Sequence, residues 1–251
     1  MLVIRLDRIG DVVLTTPLLR ALRGAHPSAW IAMMVRPLAR ELLDGHPDLS
    51  EVIVYEKEGR HRGIWSTIRF ACSLRRHRFD TAIVAHPTHR SHWIAWFAGI
   101  PTRIGYDRKS AGLLTHRLPH QKQEGAKHEA GYAMELLRLV GIAPGAPLRP
   151  TVSIQGAAQA RVAQFLTEYG VGKEEMLIAV HPSASCRSKR WPAERFAQVA
   201  DALAVSHRAR IIVVAGPDDL RPARKMIAAM RWSRLHVAGD RQPIDAAGAF
   251  D

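Results

Sequence analysis

The chain of 251 residues contains only two cysteines, Cys72 and Cys186, and they lie far apart in no paired spacing. This scarcity favours reduced thiols over a disulfide framework or a cysteine zinc site. No secretory leader is expected, because the opening residues run straight into the charges of Arg5 and Asp7. The longest apolar run, near residues 93–100, is too short to span a bilayer. We therefore expect a cytoplasmic protein.

Acidic residues are few relative to basic ones: 36 Lys and Arg face 23 Asp and Glu, for a net charge of +13. Residues 55–78 concentrate this excess, with seven basic residues against two acidic ones. An excess of this kind indicates an anionic partner. Two interpretations of residues 55–78 stay open: a solvated helix face, or a surface for the phosphates of a nucleic acid or an anionic lipid. No nucleic acid is expected, because the chain lacks a recognised reading motif and interleaved aromatic residues.

Short apolar runs bounded by turn residues alternate with helical periodicity, which predicts an α/β fold of parallel sheets covered by helices on both faces. Strands are predicted at residues 2–6, 30–35, 51–55, 80–85, 102–105, 176–180, 210–215 and 235–238. Helices are predicted at residues 12–23, 37–43, 63–76, 90–98, 128–140, 156–169, 193–206 and 219–230. Pro17 lies inside the first helical pattern, so it either kinks that helix or marks its true first turn.

Proline and glycine are concentrated after Gly141, a residue suited to the end of a helix. This composition is typical of a linker. We therefore predict a Rossmann-like domain at residues 1–141, a linker at 142–152 and a second Rossmann-like domain at 153–251. The second domain has only three predicted strands, fewer than the roughly six of a complete doubly wound sheet, so we expect it to be incomplete.

Ligands of open parallel sheets bind at the carboxyl ends of the strands, so the loops that follow strands are the first candidates. The loop after the first strand carries Arg8, Gly10 and Asp11. Gly10 allows close approach of the backbone, and Asp11 stands at the entry to a helix. Asp11 is therefore either a helix-capping residue or a catalytic carboxylate. The three-glycine spacing of a dinucleotide-binding loop is absent.

A second candidate loop, residues 181–192, follows a predicted strand and precedes a helix for which Pro192 suits the first turn. Its hydroxyl and basic side chains include Ser183, Ser185, Arg187 and Lys189. A helix N-terminus beside such groups favours a bound anion, because its N–H groups and positive dipole end face the ligand. The loop lacks the glycines of a Walker motif, so it is either a phosphate cradle or an exposed polar loop.

Three histidines, His86, His89 and His92, recur at a spacing of three residues. This spacing is compatible with a metal site, but no carboxylate accompanies the histidines, and a turn containing Pro87 explains it equally well. No metal site is expected.

Three segments, in this order, resemble glycosyltransferase family 9, which contains the ADP-heptose:lipopolysaccharide heptosyltransferases. They are DRIGDVVLTTP at residues 7–17, RIGY at 103–106 and HPSASCRSKRWP at 181–192. The resemblance implies a GT-B fold, with two Rossmann-like domains whose parallel sheets face a cleft. The acceptor is then expected on the N-terminal side and the nucleotide sugar on the C-terminal side. Family members continue with further strands and an Asp-x-Gly-x-x-His loop, which this sequence lacks, so the second domain is expected to be truncated.

The same resemblance implies roles for individual residues. Asp11 is the expected general base of an inverting transfer, and Lys189 is expected to stabilise the charge on the departing ADP. Expected donor contacts are Ser183, Ser185, Arg187 and Asp218, or its neighbour Asp219. Expected acceptor contacts are Arg8, Gly10, Arg60 and Arg62.

The resemblance implies no cofactor and no metal, because the ADP-sugar is a substrate and the expected cation is a lysine. The implied partners are a nucleotide-sugar donor and an anionic, lipid-linked saccharide acceptor. The protein is therefore expected at the inner face of the cytoplasmic membrane, bound peripherally. A truncated, non-catalytic paralogue that binds anionic glycolipid is the alternative.

Overall fold

A computed structural model describes residues 1–143, 149–172, 174–184, 186–216 and 219–231, together with the backbone of strand 235–238. The chain divides into two compact units, Met1–Gly156 and Ala157–Asp251. None of the helices in the described ranges combines the length and the apolarity needed to cross a bilayer.

The first unit is built on a six-stranded parallel sheet with the strand order β3-β2-β1-β4-β5-β6. Its strands are β1 (Leu2–Ile4), β2 (Ala32–Val35), β3 (Glu51–Val54), β4 (Thr81–Val84), β5 (Thr102–Asp107) and β6 (His116–Pro119). Strands β2 and β3 are added on one side of β1, and strands β4 to β6 are added on the other side. The point between β1 and β4 is therefore a topological switch point, where ligands of doubly wound sheets bind.

Alternate residues of each strand face opposite sides of the sheet and fill two separate cores. Val3, Met33 and Ile83 pack in one core, where Leu18 and Leu22 cover them. The neighbouring residues Leu2, Met34 and Val84 point into the other core with Ala71 and Ile94. Both faces of the sheet are therefore buried, which explains why these strands read as continuous apolar runs.

The predicted helix at residues 12–23 is two helices, α1 (Ile9–Val13) and α2 (Thr16–Ala25). Pro17 lies in the first turn of α2, where its missing N–H group costs no hydrogen bond. The break leaves α1 as a short, separate element directly after β1.

Three further helices cover the first sheet: α3 (Ile64–Ser73), α4 (His89–Phe97) and α5 (Glu129–Glu135). A 3-10 turn, Leu136–Val140, follows α5 and ends at Gly141, whose φ of 75° lies in the left-handed region that glycine adopts without strain. The helix predicted at residues 37–43 is wrong in extent, because only Pro37–Ala39 form a single 3-10 turn.

The predicted linker at 142–152 falls partly on residues 144–148, which lie outside the described ranges. The residues that follow bond to the first unit. The N–H group of Thr151 donates to Thr16 Oγ1 at 2.8 Å, and that of Ser153 donates to the carbonyl of Leu42 at 3.1 Å. The first unit accordingly extends to Gly156.

The second unit has a parallel sheet of three strands, in the order β7-β8-β9, within its described residues. The strands are β7 (Leu177–Val180), β8 (Arg210–Val214) and β9 (Leu235–Ala238), and the helices are α6 (Gly156–Glu168), α7 (Ala193–His207) and α8 (Leu220–Ala229). Ile211 and Val213 of β8 pack against Ala197 and Ala200 of α7 and Met226 of α8. The α/β class predicted from the sequence is confirmed in both units.

Candidate functional site

The Asp11 carboxylate lies at the carboxyl end of β1, in the first turn of α1, with its side chain 32% exposed. Arg8, not Asp11, occupies the N-cap position of α1, and no side-chain cap bond is present there. Asp11 Oδ1 instead lies 3.4 Å from Arg5 Nη2. The capping interpretation of Asp11 is therefore wrong, and its carboxylate faces a buried cation.

The Arg5 guanidinium is the centre of the site, and its side chain is only 2% exposed. Its Nε donates to Asp7 Oδ1 at 2.8 Å, and its Nη2 donates to Glu129 Oε1 at 2.9 Å. Its Nη1 donates to the carbonyl of Ala85 at 3.1 Å, at the end of β4. A rigid, five-donor fork of this kind fixes the positions of several acceptors at once.

Lys122 adds a second cation to this cluster, with its Nζ 2.5 Å from Glu129 Oε1. The ammonium also lies 5.3 Å from the ring centroid of Tyr106 and 5.7 Å from that of Tyr132. Burial opposes ionisation of Glu129, but the hydrogen bonds from Lys122 and Arg5 outweigh it and lower the pKa of the Glu129 carboxyl. Glu129 therefore stays a carboxylate that anchors both cations.

Asp7 and His86 form the inner wall of the site. Burial raises the pKa of Asp7 above its ordinary value, and the adjacent Arg5 offsets part of this effect. Burial lowers the pKa of His86, with Asp7 acting in the opposite direction. His86 Nδ1 is buried and has no hydrogen-bond partner among the described residues. Burial therefore favours the neutral form of the His86 imidazole at the wall of the pocket.

These side chains surround an open pocket of about 330 Å³ at the carboxyl edge of the first sheet. Its lining residues are Arg5, Asp7, Asp11, Ala85, His86, Pro87, Thr88, Arg108, Lys109, His120, Lys122 and Glu129. Four cations and three carboxylates in so small a volume suit a polar, charged ligand rather than an apolar one.

Arg8 and Gly10 flank Asp11 on the exposed surface of α1. A Cβ atom added to Gly10 would meet no other atom within 4 Å. The space beside this backbone is therefore open, as the expected close approach of an acceptor requires.

The basic loop after β3 has a structure of its own. Arg62 lines an open pocket of about 420 Å³ with Lys57, Glu58 and Arg90. Arg60 does not line this pocket, because its Nε lies 3.3 Å from Glu56 Oε1 and its side chain is 82% exposed. The structure thus brings Arg62 together with Arg90, a residue that the sequence did not single out.

In the second unit, the carboxyl ends of β7 and β8 bring His181, Ser183 and Asp219 together. The Ser183 hydroxyl donates to Asp219 Oδ1, and His181 Nε2 lies 3.7 Å from Asp219 Oδ2. His181 Nδ1 lies 2.8 Å from the carbonyl of Val214, which can only accept, so Nδ1 carries the proton. Asp219, which the sequence offered as an alternative to Asp218, thus lies beside Ser183.

Arg187 and Lys189 lie in a 3-10 turn, Arg187–Lys189, and both are exposed. Lys189 forms no salt bridge within the described part of the chain. The turn is tied back by Arg190, whose Nε donates to the carbonyl of Ala184 at 2.7 Å. The expected donor contacts Ser185 and Asp218 lie outside the described residues.

The three spaced histidines are separated by the fold. His86 faces the pocket beside Asp7, His89 bonds through Nδ1 to Ser110 Oγ at 2.7 Å, and His92 is fully buried in α4. Across the described ranges, no group of three or more His, Cys, Asp or Glu residues is arranged to hold a metal ion.

Several residues of the first pocket had not been singled out from the sequence: Arg5, Lys122 and Glu129. Lys122 and Glu129 lie more than a hundred residues from Arg5 along the chain and meet it only in the folded unit. The sequence did contain an indication for Arg5: it is a charged residue at the end of an otherwise apolar strand pattern, and a buried charge needs a partner.

Comparisons with known proteins agree with this architecture. The family model for glycosyltransferase family 9 (heptosyltransferase) matches residues 67–242. Lipopolysaccharide heptosyltransferase 2 of Salmonella typhimurium is 26% identical over 253 residues, which cover 96% of this chain and 71% of that protein.

Two solved structures are similar over nearly the whole chain. The glycosyltransferase family 9 protein of Veillonella parvula superposes with a TM-score of 0.87 at 25% identity, covering 99% of this chain and 72% of its own. The ADP-heptose lipopolysaccharide heptosyltransferase II of Escherichia coli superposes with a TM-score of 0.76 at 24% identity, covering 98% and 74%. At this identity, the similarity to the Escherichia coli structure supports the fold and not the function.

The two Rossmann-like units and these structural neighbours define a glycosyltransferase of the GT-B class, as the sequence predicted. The chain belongs to glycosyltransferase family 9, since the family model matches well over half of its residues. It spans about 71% of the length of the Salmonella relative.

Proposed function

We propose that the protein transfers a heptose from ADP-heptose to the inner core of lipopolysaccharide, with inversion at the anomeric carbon and Asp11 as the general base. The name of a relative supports the sugar and the acceptor, because that relative is a lipopolysaccharide heptosyltransferase. ADP as the nucleotide of the donor is what the family resemblance implies.

The observation that carries this proposal is the Asp11 carboxylate, partly exposed in a polar pocket and 3.4 Å from a buried arginine. The Arg5 fork is held by Asp7 and Glu129, so it acts as a fixed support for Asp11. A base held by a rigid partner needs little reorganisation when the substrate arrives.

In the proposed reaction, Asp11 takes the proton of an acceptor hydroxyl while that oxygen attacks the anomeric carbon of the heptose. A bond forms between this oxygen and the anomeric carbon as the bond from the carbon to the β-phosphate oxygen breaks. The electron pair of the broken bond leaves with ADP. Lys189, exposed beside the N-terminus of α7, is the cation proposed to stabilise that charge.

The proposed donor site is at the carboxyl ends of β7 and β8. Ser183 and Asp219 are bonded to each other there, which supports Asp219 as an acceptor of hydrogen bonds from ribose hydroxyls. Arg187 lies in the same turn as Lys189 and is proposed to contact the diphosphate.

The proposed acceptor site extends from Asp11 to the basic loop after β3. Arg62 and Arg90 line one pocket and are proposed to hold phosphate or carboxylate groups of the acceptor. Arg60, exposed in the same loop, is proposed as a further contact. An acceptor with a lipid anchor also supports a peripheral position of the protein at the cytoplasmic face of the membrane.

The experiment is a transfer assay with ADP-heptose and a deacylated lipopolysaccharide core, with the product followed by mass spectrometry. We expect an acceptor that gains one heptose residue and an equal amount of released ADP. Binding of the acceptor without ADP release and without affinity for ADP-heptose would contradict the proposal and support a non-catalytic glycolipid-binding protein.

A further inference from the structure

Helices α3 and α4 expose an aromatic surface that the proposed reaction does not use. We call it the tryptophan patch, and its residues are Ile64, Trp65, Ile68, Trp93, Trp96 and Phe97. The patch holds three of the six tryptophans of the whole chain.

The exposure of this patch is high for such large apolar groups. Trp65 is 80% exposed, Ile64 52% and Trp96 47%. Single exposed apolar residues are common, but a contiguous group of them on two neighbouring helices marks an interaction site.

The patch is concave and preformed. Ile64, Ile68, Trp93 and Phe97 contribute to the walls of an open apolar slot of about 260 Å³ between the two helices. Arg75 Nε donates to the carbonyl of Phe97 at 3.0 Å and thereby ties the ends of α3 and α4 together. The slot is therefore present before any partner binds, with the C-terminal ends of the two helices held together beside it.

The surroundings of the patch are cationic, which argues for one kind of partner. Residues 55–78 carry seven basic and two acidic residues, and both acidic side chains are already bound by arginines. Glu56 pairs with Arg60, and Glu58 accepts from Arg36 at 2.8 Å. Arg69 lies one helical turn from Trp65 on the same exposed side of α3.

Tryptophan side chains next to arginines suit the boundary between lipid headgroups and acyl chains, because the rings need an apolar side and the guanidinium groups need anions. A second protein with an apolar face would match the tryptophans but not the surrounding positive charge. The charge thus favours an anionic bilayer.

We propose that the tryptophan patch docks the protein on an anionic phospholipid leaflet, with Ile64 and Trp65 inserted at the level of the headgroups and Arg69 against lipid phosphates. The proposal rests on the proposed function for the presence of a lipid-anchored acceptor. It adds the surface of the protein that faces the membrane, and it places Arg90 of the acceptor pocket on the same helix as Trp93 and Trp96.

The test is sedimentation of the full chain with vesicles of phosphatidylcholine, with and without phosphatidylglycerol. We expect binding to the anionic vesicles only, and a loss of about tenfold or more in affinity for the variant with Ile64→Ser and Trp65→Ser, because two large apolar side chains leave the lipid. Arg69→Gln is expected to weaken binding severalfold and to reduce its dependence on salt. Vesicles with brominated acyl chains are expected to quench more of the tryptophan fluorescence of the wild type than of the double variant, because the variant lacks Trp65.

The matched control for the apolar change is Trp30→Ser, since Trp30 is 57% exposed and lies outside the patch. The matched control for the charge is Arg161→Gln on α6. Equal vesicle binding by the double variant and the wild type would overturn the proposal. So would an absence of vesicle binding together with a dimer that the double variant dissociates, because the occupant would then be a second copy of the chain.

Transfer to a deacylated, soluble acceptor separates this proposal from the proposed function. A double variant that binds vesicles poorly but keeps wild-type transfer supports the docking surface. A wild-type chain that binds vesicles through the patch but transfers no heptose contradicts the proposed function and leaves the docking surface standing.

Discussion

Arg5 links β1, β4 and α5 through one buried guanidinium. Its removal should therefore lower the free energy of unfolding by more than the loss of an exposed ion pair does. Arg5→Met leaves the partly buried Asp7 carboxylate without its cation and leaves Glu129 with Lys122 as its remaining cation. We expect the free energy of unfolding to fall by about 3–5 kcal/mol, the range for a broken buried pair. Urea unfolding measures this change.

Arg117→Met is the control, because Arg117 pairs with Asp107 at 3.6 Å on the exposed surface and its side chain is 55% exposed. That variant should lose less than about 1 kcal/mol. A similar small loss for Arg5→Met would show that the guanidinium does not hold the site together.

His92 predicts a pH dependence of stability that belongs to a single residue. It is fully buried, neither ring nitrogen has a partner among the described residues, and burial lowers the pKa of His92 to about 4. The unfolded chain binds a proton near the ordinary pKa, whereas the folded chain does not. The contribution of neutral His92 is therefore present above about pH 6.5 and is lost as the pH falls toward 4.

His92→Leu should remove this dependence. Between about pH 7.5 and pH 5, we expect the wild type to lose roughly 2 kcal/mol more unfolding free energy than the variant. Urea titrations at both pH values measure the difference, with His116→Gln, an exposed histidine, as the control. Parallel pH profiles for the wild type and His92→Leu would contradict this account of His92.

A substitution in helix α1 tests whether the acceptor binds beside Asp11 without changing any charged residue. Gly10→Ala adds one methyl group in open space, so it should fold normally and gain up to about 1 kcal/mol from helix propensity. The same methyl should raise the KM for the acceptor, because it occupies the space beside Asp11. Gly24→Ala in α2 is the matched control, since its Cβ also meets nothing within 4 Å. An unchanged KM for Gly10→Ala would place the acceptor elsewhere.

The elements that the sequence predicted well are those with a strong apolar pattern, such as β1, β2 and β4, which are buried on both faces. Strand β6 was missed because its four residues are mostly exposed and end at Pro119, a residue suited only to an edge. The cluster around Arg5 was missed for another reason. Its members come from distant parts of the chain, and no local pattern records their contact.

The division into two units predicts that donor and acceptor bind to different parts of the molecule. Hydrogen exchange in the presence of ADP should slow at residues 186–193 and around Gly216 and Asp219, but not in α1. Lys189→Ala should weaken ADP binding by about tenfold or more, because an ammonium–phosphate contact is lost, and should reduce this protection in parallel. Arg224→Ala, an exposed cation on α8, is the control. ADP protection confined to the first unit would contradict the assignment of the two sides.

The proposed transfer depends on Asp11, which the fold brings to a polar pocket and which the Arg5 fork supports. The most direct measurement is the rate of heptose transfer by Asp11→Asn at saturating donor and acceptor, with ADP affinity measured on the same preparation. We predict a rate at least about a hundredfold below that of the wild type, unchanged ADP affinity and a normal unfolding curve, because only the base is lost. Asp80→Asn, an exposed aspartate at the start of β4, should transfer at the wild-type rate. Wild-type transfer by Asp11→Asn would contradict the central claim.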